Sequence, residues 1–243
     1  MNLTRWLAAA VLVVGVAAAG GLWYVFFRPA GPAPVALSSE APTSSGGLAA
    51  PSLGPAATGS AGSTATTVEG SWAIDPSAGS FVGYRVQEQL AGIGGNTAVG
   101  RTSAVTGTLT IAGTSVTDVE ITADLTQLKS DDDRRDSQLQ QRGLETDSFP
   151  TATFKLTQPI DLGSIPADGQ TISVTATGQL TLHGVTKTVQ VPLQARLSGS
   201  TIEVVGSIEI TFADYSITPP TSFIALSVAD HGTMELDLHF SKA

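Results

Sequence analysis

The chain contains no cysteine. Disulfides, thiolate metal ligands and thiol nucleophiles are all excluded, while the redox compartment stays open, because a secreted protein can simply lack bridges. Charge is scarce as well. Only 14% of the residues are charged, and 12 Lys and Arg face 21 Asp and Glu for a net charge of −9. A chain this acidic, with no basic stripe, is poorly suited to nucleic acid or to an anionic membrane surface. Its three histidines stand at no recognisable metal spacing. No nucleophile is paired with a base, so neither catalysis nor a cofactor or metal is expected.

One long apolar run is present. After Arg5, residues 6–27 are uncharged and mostly apolar, and Arg28-Pro29 ends the run. As a helix it would be about 33 Å long, enough to cross a hydrocarbon core of about 30 Å. Trp6, Trp23 and Tyr24 stand where interfacial aromatics are expected. Residues 1–28 therefore read as a single-pass signal anchor in the cell membrane, with the remainder extracytoplasmic. The alternative is a signal peptide cleaved after the small residues Ala17-Ala18-Ala19, giving a secreted protein. A buried soluble helix is the third reading. From 29 to 70 the chain is nearly all Ala, Gly, Pro, Ser and Thr. With little to bury, it is expected to be a disordered linker acting as a flexible tether.

The folded domain is expected over residues 71–243, because apolar residues there alternate at period two between turn signals. Val82, Tyr84 and Val86 make one face. Val105, Leu109 and Ile111 make the next, followed by Val119, Ile121 and Ala123. Phe154 and Leu156, then Ala176, Leu180 and Leu182, continue the pattern, with Val189, Val191 and Leu193 after a turn. A long strand runs to Phe212, and Met234 to Phe240 closes the chain. Residues 178–187 are a hairpin turned by His183-Gly184. One short helix over about 130–141 interrupts the strands, with Ser130 as its expected N-cap, acidic residues at its positive end, and Gly143 as its stop. About eight long alternating strands with short links predict an all-β, eight-stranded antiparallel barrel. Its apolar faces point inward, and it is either filled by side chains or open to one small ligand.

Several markers stand in order. They are Trp72-x-Ile74-Asp75, Ser80-x-Val82-x-Tyr84-x-Val86, Arg135-Asp136-x-x-Leu139, Phe149-Pro150-x-Ala152-x-Phe154, and the hairpin from Gly178 to Lys187. Phe212-x-Asp214-Tyr215-Ser216-Ile217 matches more loosely. With these, residues 71–243 resemble the YceI family, bacterial periplasmic or secreted lipocalin-like proteins that bind polyisoprenoid and related long-chain lipids. The resemblance implies a lipocalin-like barrel that binds, sequesters or carries a long-chain apolar lipid, isoprenoid-like in kind, in its cavity. The alternative is a closed barrel serving as a non-catalytic envelope interaction module, and a homodimer is compatible with either. Two departures stand out: Glu88 occupies a position where the family commonly has His, and residues 89–101 read as a long glycine-rich loop.

The residues expected to contact ligand are Val82, Tyr84, Val86, Phe154, Leu180, Leu182 and Phe212, with Glu88 at the mouth. Glu88 continues an inward parity, and an inward carboxylate needs a partner; Arg101 and Arg135 are the candidates. His183 reads as a turn residue. Arg135-Asp136 reads as an ion pair docking the helix. Asp131-Asp132-Asp133 cannot converge on one calcium ion, because neighbours on a helix point about 100° apart.

Overall fold

The computed structural model describes residues 31–38, 68–92, 94–220 and 225–243. The apolar run over residues 6–27, read as a membrane anchor, and linker residues 39–67 lie outside the described residues. Among the described residues no helix is long and apolar enough to cross a membrane.

Thirteen strands form one antiparallel sheet closed on itself. In chain order they begin with β1 (Gly70–Ile74), β2 (Phe81–Leu90), β3 (Gly94–Thr102), β4 (Val105–Ala112) and β5 (Ser115–Asp124). Next come β6 (Lys129–Ser130), helix α1 (Asp133–Gln138), β7 (Thr151–Leu156), β8 (Ile160–Asp161) and β9 (Thr171–Leu182). The chain ends with β10 (Val185–Ser198), β11 (Thr201–Thr211), β12 (Ala225–Val228) and β13 (His231–Lys242). β1 and β2 pair in succession along the same edge of β13. β3 and β4 pair in turn with β2 and β1. Counted as two interrupted strands, these four complete an eight-stranded ring with β5, β7, β9, β10, β11 and β13. The alternation foreseen in the sequence is what allows closure: a period-two strand with one apolar face buries that face only if the sheet wraps around it.

The ring has two ends. At the base, Trp72 and Phe240 are fully buried and plug the lumen, and the Trp72 indole donates to the Val68 carbonyl at 2.9 Å. At the opposite end lie the β2–β3 turn, α1, the β9–β10 turn and the segment after β11. The β9–β10 turn needs two residues at positive φ, and His183 (50°) and Gly184 (73°) supply them. A Cβ at Gly184 would also stand 2.6 Å from the Phe149 ring. This is the two-residue hairpin turn whose twist matches that of its strands.

Four local expectations change. Residues 89–101 are not a loop: β2 runs to Leu90 and β3 starts at Gly94, so this stretch is mostly ladder. β11 stops at Thr211, and Phe212 begins a single 3-10 turn through Tyr215. The helix N-cap is Asp132 rather than Ser130. Its carboxylate accepts from the Arg134 and Arg135 amides, and the helix passes at Leu139 into a wider turn that Gly143 ends. Finally, residues 31–38, inside the stretch read as linker, lie against the outer face of the barrel.

Candidate functional site

The lumen holds two apolar cavities arranged end to end. The first, of about 190 Å³, fills the half toward the base and is walled by Leu109, Ile121, Phe154, Leu180, Leu193 and Leu238. The second, of about 150 Å³, lies under α1, among Tyr84, Val86, Leu139, Leu182, Phe212 and Ile217. Val82, Ala152 and Met234 belong to both walls, so the cavities abut within one lumen.

Glycine keeps this lumen open. Gly100, Gly107, Gly178 and Gly206 sit on inward-facing strand positions, and at each a Cβ would collide with a neighbouring strand's backbone or side chain. The missing side chain is replaced by one lying flat across it: Tyr84 over Gly100, Ile121 over Gly107, Phe154 over Gly178 and Leu193 over Gly206. Large residues thereby lie along the wall instead of projecting into the centre. A barrel of eight strands would otherwise be filled by its own side chains.

All eight residues singled out in the sequence line this lumen. Phe154 and Leu180 face the first cavity; Tyr84, Val86, Glu88, Leu182 and Phe212 face the second; and Val82 faces both. Phe212 does so from a 3-10 turn rather than from a strand. Period two could not reveal the lining that comes from irregular segments: Leu125, Leu128, Leu139 and Pro219-Pro220 around the second cavity, and Leu162 and Ile165 around the first. A bulge in β5 opposite Thr110 and Ile111 also turns Val116 inward, three residues before the alternation that starts at Val119.

The second cavity has a polar corner. Glu88 is buried, and Arg135 donates to it from α1 at 2.7 Å, joined by the Asn96 side-chain amide. Burial opposes the charge on Arg135, but the bonds to Glu88 and Asp131 outweigh it and hold the guanidinium above its ordinary pKa. Arg101, the other candidate partner, instead faces outward, opposite Gly83, and pairs with Glu235. Arg135 and Asp136 do not pair with each other. They point apart on the helix, and Asp136 accepts from the Ser130 amide (3.0 Å) and hydroxyl (2.6 Å), pinning α1 to β6. The Tyr84 hydroxyl is buried beside this corner with no hydrogen-bond partner among the described residues. Burial pushes its pKa up to about 12.

The remaining candidates sit elsewhere. His183 Nδ1 lies 3.0 Å from the Tyr215 carbonyl and its ring packs edge-on to Phe149, as suits a turn residue. Asp131 bonds Arg135 and Asp132 caps α1, so the acidic run is spent on the helix. Outside the barrel, Glu203, Asp237 and His239 bring ligand atoms within 4.8 Å of one another. Arg196 occupies Glu203 at 2.8 Å, however, and its positive charge opposes a cation there.

Residues 72–240 match the family described as YceI-like domain. No curated protein matches the chain. Among solved structures, the fold is similar to a polyisoprenoid binding domain from Saccharophagus degradans implicated in plant cell wall breakdown. The two are 22% identical, with a TM-score of 0.57 and coverage of 71% of this chain and 98% of that one. It is also similar to BcnA of Burkholderia cenocepacia, at 22% identity and a TM-score of 0.53, covering 68% of this chain and 98% of that one.

Proposed function

The chain belongs to the family of YceI-like domains, and from that premise we propose that its barrel binds, sequesters or carries one long-chain, isoprenoid-like lipid outside the cytoplasm. The observation that carries this reading is the lumen of two abutting apolar cavities, whose large wall side chains lie flat over strand glycines. A linear run of isoprene units, carrying only methyl branches, matches such a space, because it is narrow, apolar along its length and polar only at one end. The polyisoprenoid binding domain from Saccharophagus degradans, with its similar fold, points the same way. Burying several hundred Å² of tail at about 25 cal/mol per Å² gives roughly 10 kcal/mol gross, from which ordering costs are subtracted.

The polar corner orients the head group. The Glu88–Arg135 pair is already neutralised, and the Tyr84 hydroxyl offers an unused hydrogen bond. A neutral or mildly polar head therefore fits better than a pyrophosphate, which would meet an acidic protein and an arginine already committed. No covalent step is proposed; binding comes from apolar burial with a few polar groups setting direction. The apolar run over residues 6–27 supports a membrane-anchored, extracytoplasmic placement.

Mass spectrometry of organic extracts from protein purified without detergent tests the reading. A stoichiometric long-chain lipid is the expected result. Its absence, together with failure to bind added polyprenol, would overturn the proposal in favour of a closed structural barrel. Conversion of that lipid by the pure protein would show an enzyme instead.

A further inference from the structure

Residues 31–38 (Gly-Pro-Ala-Pro-Val-Ala-Leu-Ser) cross the outer face of the barrel along a defined path. Gly31 lies against Val99 of β3. Arg85 donates to the Pro32 and Ala33 carbonyls, and Arg101 to the Ala33 carbonyl at 3.0 Å. At the other end the Ser38 amide and hydroxyl donate to Glu203 at 2.6 and 2.7 Å, and Arg196 donates to the Ser38 carbonyl at 2.6 Å. Beneath the segment, Glu235 and Glu203 point out of the barrel yet are buried, as are the outward-facing Val99 and Val205. Outward carboxylates and valines become buried only when something covers them, and this segment does.

The strand register gives the path a direction. Val99 is opposite Arg85, which is opposite Thr233; Glu203 is opposite His239. The segment therefore enters toward the end of the barrel that holds Glu88 and α1 and descends about six residues along β13, roughly 20 Å, toward the base. Four residue steps separate Phe27, the end of the apolar run, from Gly31, and a fully extended connection of that length spans at most about 14 Å. A free 29–70 linker of about 40 residues would instead allow an r.m.s. reach of about 35 Å.

We infer that the docked 31–38 segment is a short leash that presents the Glu88–α1 end of the barrel, and with it the second cavity, to the lipid bilayer holding residues 6–27. The inference rests on reading residues 6–27 as an uncleaved anchor. Leu226 on β12 supports the facing. β12 pairs with the last residues of β2 at this same end, and Leu226, at 65% exposure, is the one large apolar side chain left exposed among the described residues. An exposed leucine on the rim facing a bilayer is placed where it can be covered. The arrangement aligns the cavity with the source of an apolar ligand, so that transfer need not pass through water.

The full chain, reconstituted in phosphatidylethanolamine/phosphatidylglycerol vesicles carrying a nitroxide-labelled lipid, tests this. Because there is no native cysteine, Leu226→Cys and Ser200→Cys each accept one fluorophore, at the two opposite ends of the barrel. Strong quenching at 226 and little at 200 is expected. Inserting about 20 Gly/Ser residues, adding about 25 Å of r.m.s. reach, between residues 30 and 31 should reduce quenching at 226 severalfold. The same insertion between residues 50 and 51 should leave it unchanged, because the docked segment takes up the constraint. Equal quenching at both ends, or equal effects of the two insertions, would overturn the inference while leaving the anchor intact. A full chain that does not float with the vesicles would refute the anchor and the inference with it. Neither result bears on whether the lumen holds a lipid, which the extraction experiment reads separately.

Discussion

Glu88 and Arg135 meet 2.7 Å apart although 47 positions separate them in the chain. The carboxylate comes from a strand parity that points it into the lumen. The guanidinium comes from the one helix, whose N-cap and Asp136 anchor hold it over the same end. The contact joins lid to barrel at the wall of the second cavity.

Because the pair is mostly buried, removing one partner leaves the other uncompensated. Arg135→Leu should destabilise the domain by about 3 kcal/mol, and Glu88→Leu combined with Arg135→Leu should recover most of that loss. Urea unfolding of the two variants checks this. If the double variant is no more stable than the single one, the ion pair is not what makes the single change costly.

The glycines of the wall predict a loss of capacity rather than of fold. At Gly178→Ala the new Cβ meets the Phe154 ring and the Lys155 carbonyl, so the ring must swing into the first cavity and the two strands must shift locally. A cost of about 1–3 kcal/mol and a severalfold weaker affinity for a long-chain fluorescent fatty acid or polyprenol probe are expected. Binding titrations beside thermal melts would read both. Unchanged affinity would show that Phe154 does not border the occupied space.

Tyr84 gives a pH dependence with a definite sign. Its hydroxyl titrates at about 12 in the folded chain against an ordinary value of 10.0. The unfolded chain therefore loses this proton first, and Tyr84 lowers stability progressively as pH rises from about 10 to about 12, with no effect below that window. Tyr84→Phe removes a buried hydroxyl that has no partner, so it should be neutral or slightly stabilising at pH 8 and should abolish this part of the alkaline loss. Denaturant unfolding at pH 8 and pH 11, on both proteins, measures the difference.

Glu203 carries the opposite sign. Burial alone would raise its pKa, but the bonds from Ser38 and the nearby Arg196 outweigh that and bring it below the ordinary 4.5. The stabilisation it lends to the docked segment is complete above pH 4.5 and is lost as the pH falls below that value. Its neighbour Asp237 is shifted upward by burial and makes no bond to the segment. A fluorophore at the exposed Ala36→Cys should therefore gain mobility on acidification, seen as falling anisotropy, and Ser38→Ala should move that release to higher pH.

The turn residue His183 should be replaceable. His183→Asn keeps a side chain that tolerates positive φ but gives up the bond at Tyr215, so a loss of about 1 kcal/mol with unchanged ligand affinity is expected. Gly184→Ala should cost more, because it adds the Phe149 collision to an unfavourable φ. Calorimetry of the two variants separates these effects.

Much of the barrel was legible in the residues. Side chains alternate strictly along a strand, so Val82, Leu180 and Leu193 declared their inward face before any pairing was known. The His183-Gly184 turn likewise declared its hairpin through the backbone conformation it requires. The lining contributed by Ile165, Leu139 and Pro220 was not legible, because irregular backbone has no period to read. Val116 was hidden by a bulge, which shifts parity by one residue and leaves no mark on composition. The glycines in 92–100 suggested a loop, since glycine is a turn signal when seen alone. At Gly100 its role is instead to leave room for the Tyr84 ring, a requirement set by the neighbouring strand.

The sequence by itself determined the all-β class, the ring of alternating strands, the hairpin at 178–187 and an inward Glu88, because each follows from local geometry and short-range pattern. Only the tertiary structure decided that Arg135 rather than Arg101 meets Glu88, that the lumen stays open as two abutting cavities, and that residues 31–38 lie on the barrel. Those outcomes depend on which distant strands become neighbours. The 31–38 segment is the plainest case: it has too little apolar surface to order itself, and what holds it is a row of arginines and carboxylates that only the closed barrel brings together.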